Sequence, residues 1–398
     1  MFNVRLHCRC FILIFINSYL TIISKCCKPL VRINSYLFFL KLIAALKNYC
    51  LKLCVLLALI FCHAQLKAQS KPNFPLHRCA TMQQYEQLFR ATPDFKKKFE
   101  LNQKQLSSKA KKGSTTGARM QMIEDTIPVV IHVVANNNLQ SLITDEILKS
   151  QVAVLNEDFQ GLNKDSTRIP AAFKPLYGKN KLVFVLAKQN EYGEPTTGIV
   201  RRVNNITFNA GNTDDAKRTA FGGSNGWDAT KFINLWVVDF GTTGLLGLSV
   251  FPGDPRPLNL HGFVCDYRAF GRGASYLYAD YRSGRTTTHE IGHFYNLHHI
   301  WGDDEGACTG TDFPDAPAGQ DDTPNQAGDT FGNPDPQGNG RVVIDSCSPN
   351  PPGIMYQNFM DYTFDSAMVM FTLGQVDRMQ TALTLSPDRL GLLNSIAY

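Results

Sequence analysis

Apolar and polar positions change their rhythm several times along the chain. Residues 1–70 hold apolar runs at 11–24, 35–46 and 53–62, each shorter than the ~20 apolar residues that span a bilayer. Residues 70–119 are polar and basic, with a helical pattern over 82–99 and a run of small residues over 107–117. The β-branched run from Ile127 to Val134 then predicts a buried strand. After it, Ile147, Val152, Val154, Leu155 and Phe159 predict an amphipathic helix over 144–159, with Thr144 as its N-cap. Strands are predicted at 181–187, 198–203, 232–240, 247–251 and 262–267, and a further helix at 286–297. Residues 302–352 are rich in Gly, Pro, Asp and Asn and lose all periodicity, which predicts a long functional or metal-tied loop. Thr372 and Gln375 stand at capping-box spacing and open a terminal helix through Leu383. No internal repeat or appended domain is visible. The expected class is α/β, of the α+β kind, with one mixed sheet and helices against it.

Composition supports a globular chain: 44% of the 398 residues are hydrophobic and 19% are charged, which excludes fibrous and wholly disordered classes. Charge changes the picture more. Residues 1–113 hold 19 Lys and Arg against Glu86, Asp94 and Glu100, so residues 114–398 carry a net −10 within a total of +6. The body is acidic and has no basic stripe, and no nucleic-acid partner is expected.

Residues 1–68 read as an export region. Lys41, Lys47 and Lys52 precede the apolar run Leu53 to Cys62 and the small residues after it, the order of a secretory signal, with cleavage expected near Ala64 or Ala68. A short anchor or buried helix is the alternative, and residues 1–45, which fit a signal poorly, read as an over-extended start. Residues 69–118 are then a prosegment ending in a cleavable linker, and 119–398 the catalytic domain. The product is expected to be a secreted monomer, free or held at the cell envelope, that meets a membrane only through its signal. Seven of the eleven cysteines go with the export region. Cys308 and Cys347 lie in the aperiodic loop, where a staple helps most, and are expected to pair. Cys265 sits in an apolar run and is expected to be buried.

The chemistry is concentrated in Thr288-His289-Glu290-Ile291-Gly292-His293-Phe294-Tyr295-Asn296-Leu297-His298-His299. On a helix, His289 and His293 project from one face and can hold one cation, with Glu290 beside them as a base. A third ligand would complete a zinc site whose fourth position stays open to water. His299 is too far along the axis of an unbroken helix to join them, so the chain must turn, and Asn296 tolerates the left-handed backbone a turn needs. His298 is the competing third ligand. The bland alternative is a set of histidines satisfied on a helix face.

With these residues in place, the chain resembles the metzincin pattern His-Glu-x-x-His-x-x-Gly-x-x-His followed by a Met-turn. Asn358-Phe359-Met360-Asp361-Tyr362 stands for that turn, and Asn296 takes the usual Gly position. Leu297-x-His299-x-Trp301-Gly302, with Phe371-Thr372-x-x-Gln375-x-x-Arg378-Met379, is similar to the pappalysin family and to its small bacterial members, over about residues 79–383. The resemblance implies a metzincin fold: a twisted mixed sheet with a backing helix and an active-site helix, then a loop-rich lower subdomain with the Met-turn and a C-terminal helix. It also implies a zinc endopeptidase made as a latent proenzyme and acting on proteins or peptides.

Several residue roles follow by the same resemblance. Met360 would form an apolar floor under the three imidazoles, and Tyr362 would donate to the oxyanion. Asp365 would sit at the base of the pocket for the residue after the scissile bond, implying cleavage before Arg or Lys and self-cleavage at Ala118-Arg119. A solvated surface acid is the competing reading of Asp365. Cys79 would ligate the zinc and keep the precursor latent, unless it is a plain unliganded thiol. Asp322 and Thr323 in the acidic loop would hold calcium. A zinc hydrolase of another amide, or a non-catalytic module with structural zinc, would share the histidines, but Met360 and Tyr362 speak against the first and Glu290 against the second.

Overall fold

The computed structural model describes residues 74–114, 123–308 and 322–395 together with positions 52 and 72, so the export region other than position 52 and the expected cleavage site at 118–119 lie outside the described residues. Two compact units divide the chain at residues 70 and 71, and the architecture below belongs to the second. In chain order its elements are β1 (His77–Cys79), α1 (Thr81–Ala91), α2 (Pro93–Ser114), β2 (Thr126–Ala135), α3 (Asn137–Leu142), α4 (Asp145–Phe159), β3 (Tyr177–Gly178), β4 (Val183–Leu186), β5 (Ile199–Val203), α5 (Thr213–Ala216), β6 (Ile233–Val238), β7 (Leu245–Leu248), β8 (Phe263–Asp266), α6 (Arg285–Phe294), β9 (Phe371–Thr372) and α7 (Leu373–Leu385). Among the described residues no helix is long and apolar enough to cross a membrane.

Seven strands form one mixed sheet in the order β1-β7-β8-β6-β2-β4, with β5 also paired to β2. The central strands β2, β6 and β8 run parallel and are apolar almost throughout, as strands covered on both faces must be. β7 runs antiparallel to β8 and would be the sheet edge if β1 did not add to it. The backing helix α4 and the helix α6 share the main core with Ile131, Leu235 and Phe263 of the sheet. Gln151 of α4 donates to Gly284 O (2.9 Å) and accepts from Gly271 N, which ties the two helices together where α6 begins.

Three expectations shift. The helical pattern of 82–99 is two helices rather than one, because Pro93 cannot continue a helix and holds Thr92 out of the helical region. The second of these runs through the backbone of 107–114, where a linker was expected. The strand expected at 247–251 lies at 245–248, since the Ser249 and Phe251 amides leave the ladder and bond to side chains. In the lower part, Cys308 and Cys347 form a disulfide, and Cys265 is buried with a free thiol.

Candidate active site

The helix α6 ends where the sequence asks it to. Asn296 has φ +76°, Leu297 N donates to Gly292 O (2.9 Å) and Asn296 N to His293 O (2.9 Å), the two bonds of a Schellman cap. The chain doubles back, and the reversal brings His299 against the helix it has just left. All three histidines are buried, and the Nε2 of His293 lies 3.1 Å from the Nε2 of both His289 and His299.

What turns these rings inward is the partner each has at Nδ1. His289 faces Phe359 O at 2.7 Å, His293 faces Leu297 O at 2.7 Å, and His299 faces the Asp303 carboxylate at 2.8 Å. Each partner accepts only, so Nδ1 carries the proton and the Nε2 lone pair points to a common centre. Burial holds His289 and His293 well below the usual imidazole range, which favours the neutral form a cation needs. The Cys79 thiol completes the group: its sulfur and the three histidine nitrogens all lie within 4.8 Å of one another. His298 is not in the group, its ring stacking instead on Phe251 at 4.9 Å.

Glu290 lies beside this centre and is buried. Burial pushes its carboxyl up to about 8, against the lowering effect of hydrogen bonds from Cys79 and Thr81 and of the Arg78 charge. One oxygen, Oε2, takes the Thr81 hydroxyl (3.3 Å) and the Cys79 thiol (3.6 Å); the other, Oε1, is buried with no hydrogen-bond partner. Its approach to β7 requires Gly247, where a Cβ would stand 2.7 Å from Oε1.

Met360 packs beneath the histidine helix. A Cβ on Gly292 would fall 2.4 Å from the Met360 sulfur, so the glycine inside His-Glu-x-x-His is what lets the methionine come so close. The turn carrying it is pinned from α7. Thr372 and Gln375 make the complete capping box, and Gln375 also exchanges two amide bonds with Asn358, whose Oδ1 accepts Met360 N at 2.9 Å. Arg378, one turn on, donates to Asn296 O. The terminal motif therefore holds both the Met-turn and the left-handed turn before His299. Tyr362 stands edge-on to His299 with ring centroids 4.9 Å apart, and its hydroxyl donates to Cys79 O at 3.1 Å.

Asp365 is buried rather than solvated, and it meets Arg78. The Arg78 guanidinium is 3.0 Å from Asp365 Oδ1, donates to Thr363 O at 2.6 Å and lies over the Tyr281 ring at 4.8 Å. Asp365 Oδ2 takes Ser283 N at 2.8 Å, and Arg285 donates to Asp365 O at 2.6 Å, so the residue is held at both its carboxylate and its backbone. In the acidic loop, Asp322 Oδ2 accepts Gly374 N at 2.8 Å, at the head of α7, and Thr323 is buried. Asp312, Asp315 and Asp321 lie outside the described residues.

Sequence reasoning missed Arg78, Thr81 and Phe251, and it did not connect Asp303 with His299. Only Asp303 had a usable signal, an acid four residues after His299. Arg78 and Thr81 meet the site through β1, whose three residues are too few to show a period; it pairs parallel to β7, with Cys79 opposite Gly247.

The family model described as pregnancy-associated plasma protein-A, a peptidase family, matches residues 218–384. An extracellular metalloprotease of Arthroderma benhamiae is 30% identical over 258 residues, covering 64% of this chain and 71% of its own. One from Pyricularia oryzae is 28% identical over 278 residues, covering 69% and 80%. Among solved structures, mature mirolysin of Tannerella forsythia, in complex with a cleaved peptide, is 39% identical and covers 69% of this chain and 97% of its own, with a TM-score of 0.62. A promirolysin mutant of the same organism is 36% identical and covers 79% and 97%, with a TM-score of 0.68.

Proposed function

The chain belongs to the pappalysin family of metalloendopeptidases, and from that premise we propose that it is a zinc endopeptidase, exported as a latent precursor, that cuts proteins or peptides before Arg or Lys. The observation that carries the reading is the convergence of three imidazole Nε2 atoms beside the unpartnered Oε1 of Glu290. Three buried lone pairs aimed at one another repel, and a borderline transition-metal cation such as zinc fits this donor set. His289, His293 and His299 would hold zinc, which when bound lowers the pKa of water and polarises a carbonyl.

The rest of the chemistry belongs to the chain. Glu290 takes the proton of the attacking water and returns it to the leaving amine. The Tyr362 hydroxyl, freed from Cys79 O, donates to the oxyanion. Gly247 and its neighbours in β7 receive the substrate backbone as an added strand. Asp365 binds the basic side chain after the scissile bond, the place Arg78 takes in the precursor.

Latency follows from chain direction. In a substrate, the residue in the Asp365 pocket follows the scissile bond, so the reacting carbonyl lies on its N-terminal side. In the prosegment, Cys79 at the centre comes after Arg78. The segment therefore lies backwards along β7, presenting a thiol where a substrate presents a carbonyl, and Thr81 covers the base. The precursor-form relative aligns with more of the chain than the mature form does, by a margin of the size of the 77–114 segment, which supports the prosegment reading. A Cys79→Ala precursor is expected to cleave an Arg-containing peptide roughly tenfold faster than the parent precursor, the loss of about 1.4 kcal/mol of inhibition, before any shortening is visible on a gel. Equal initial rates would place latency elsewhere.

The relatives named extracellular support secretion, and a monomer is the expected state. Calcium at Asp322 and Thr323 rests on the family resemblance and is read by elemental analysis of the same preparation. The deciding experiment is metal removal. A strong chelator should abolish turnover of a denatured protein and zinc alone should restore it, with one zinc per chain lost and regained; full activity in chelator would sink the reading.

A further inference from the structure

We propose that Phe251, with Asp254 beyond it, forms a specificity pocket for an aromatic side chain on the N-terminal side of the scissile bond, and that the prosegment fills it with Tyr85 while the enzyme is latent. The inference rests on the reading of Asp365 as the pocket for the residue after that bond and of residues 69–118 as removable.

Phe251 is fully buried in the precursor, inside a cluster formed with Tyr85, Phe95 and Phe99 and flanked by Met82, Leu88 and Phe89. Every member but Phe251 belongs to α1 or α2, so removal of the prosegment bares this one ring of the body. Tyr85 meets it edge to face at 5.3 Å, and Phe99 at 6.0 Å. On its other side Phe251 stacks on His298 at 4.9 Å and stands edge-on to His293 at 5.3 Å. Those contacts come from the helix and turn of the metal site, and they keep the ring in place once its cover has gone.

The pocket has a polar end. The Tyr85 hydroxyl donates to Asp254 Oδ2 and accepts Phe251 N at 3.0 Å. Asp254 is itself clamped by Arg256, whose guanidinium nitrogens lie 2.8–3.2 Å from its oxygens. A neutralised carboxylate at the end of an aromatic wall suits a phenol better than a second cation. Ser249 N, which donates to the Thr81 hydroxyl at 2.9 Å, and Phe251 N both become free donors along the path of an added strand.

Direction assigns the side. Arg78 and the Phe251 cluster lie on opposite sides of Cys79 along β7, so a chain with its basic residue in the Asp365 pocket carries its preceding residues past Ser249 to Phe251. Gly247 is opposite the centre and Phe251 lies four residues on, which puts the aromatic residue about two to four positions before the scissile bond.

The test is a peptide set for the mature enzyme with Arg fixed after the scissile bond and Ala, Leu, Phe and Tyr scanned over the four preceding positions. At one position Phe and Tyr should exceed Ala in kcat/KM by roughly tenfold or more, with Tyr ahead of Phe. Phe251→Ala should bring the Phe-to-Ala ratio close to one, and the milder Phe251→Leu should give an intermediate ratio. A flat profile in the parent, a ratio unchanged in the variants, or an aromatic preference confined to the C-terminal side overturns the proposal. Exchanging the fixed Arg for Ala in the same set reads Asp365 separately: a lost Arg preference with the aromatic one intact sinks the Asp365 reading, whereas a kept Arg preference with a flat profile sinks only this one.

Discussion

Glu290→Gln is expected to lower kcat by roughly 10²–10⁴-fold, the range that positioned proton transfer contributes, while zinc content and the fold stay as they are. The substitution is nearly isosteric, and an amide oxygen can still accept the Thr81 hydroxyl that Oε2 takes in the parent. What it loses is a group able to take a proton from water and hand it to an amine. The side chain has no structural partner at Oε1, so little stability is at stake there. Steady-state kinetics on the mature enzyme, with metal analysis of the same sample, check the outcome. A variant as fast as the parent would place the base on another residue, and one that had lost its zinc would test the metal site instead.

Asp365→Asn should cut kcat/KM for a peptide with Arg after the scissile bond by about 2–5 kcal/mol, a factor of roughly 30 to several thousand, because a buried guanidinium would be left without its charge partner. A peptide with Ala at that position should change far less, so the preference itself collapses. Asn keeps an oxygen for Ser283 N, which Asp365 serves in the parent, and the pocket floor should survive. The same variant has a second readout in the precursor: Arg78 loses the partner it has at 3.0 Å, and the prosegment should leave more readily. An equal loss on the Arg and Ala peptides would mark Asp365 as a structural residue.

Much of the site was legible because its geometry is local. A spacing of four residues on a helix brings His289 and His293 to one face regardless of the rest of the chain. The need for a turn before His299 follows from helix rise, Asn296 is the residue there that tolerates a left-handed backbone, and the backbone takes φ +76° at it. The capping box at Thr372 and Gln375 is likewise a matter of neighbours. What α7 does with that box was not legible: Gln375 also holds Asn358 across seventeen residues, and Arg378 holds Asn296 across eighty-two.

The sequence by itself therefore determined the backing helix, the histidine helix and the terminal helix, the main buried strands, the paired cysteines of the loop and the shared face of His289 and His293, all set by periodicity, capping chemistry and short spacing. Only the tertiary structure decided that β1 closes the edge of the sheet, that Arg78 reaches Asp365 from 287 residues away and that Tyr85 lies on Phe251. A three-residue strand that pairs through backbone hydrogen bonds leaves no pattern in its own side chains. An ion pair or a ring contact between distant segments leaves none either, because its partner is chosen by the folded surface.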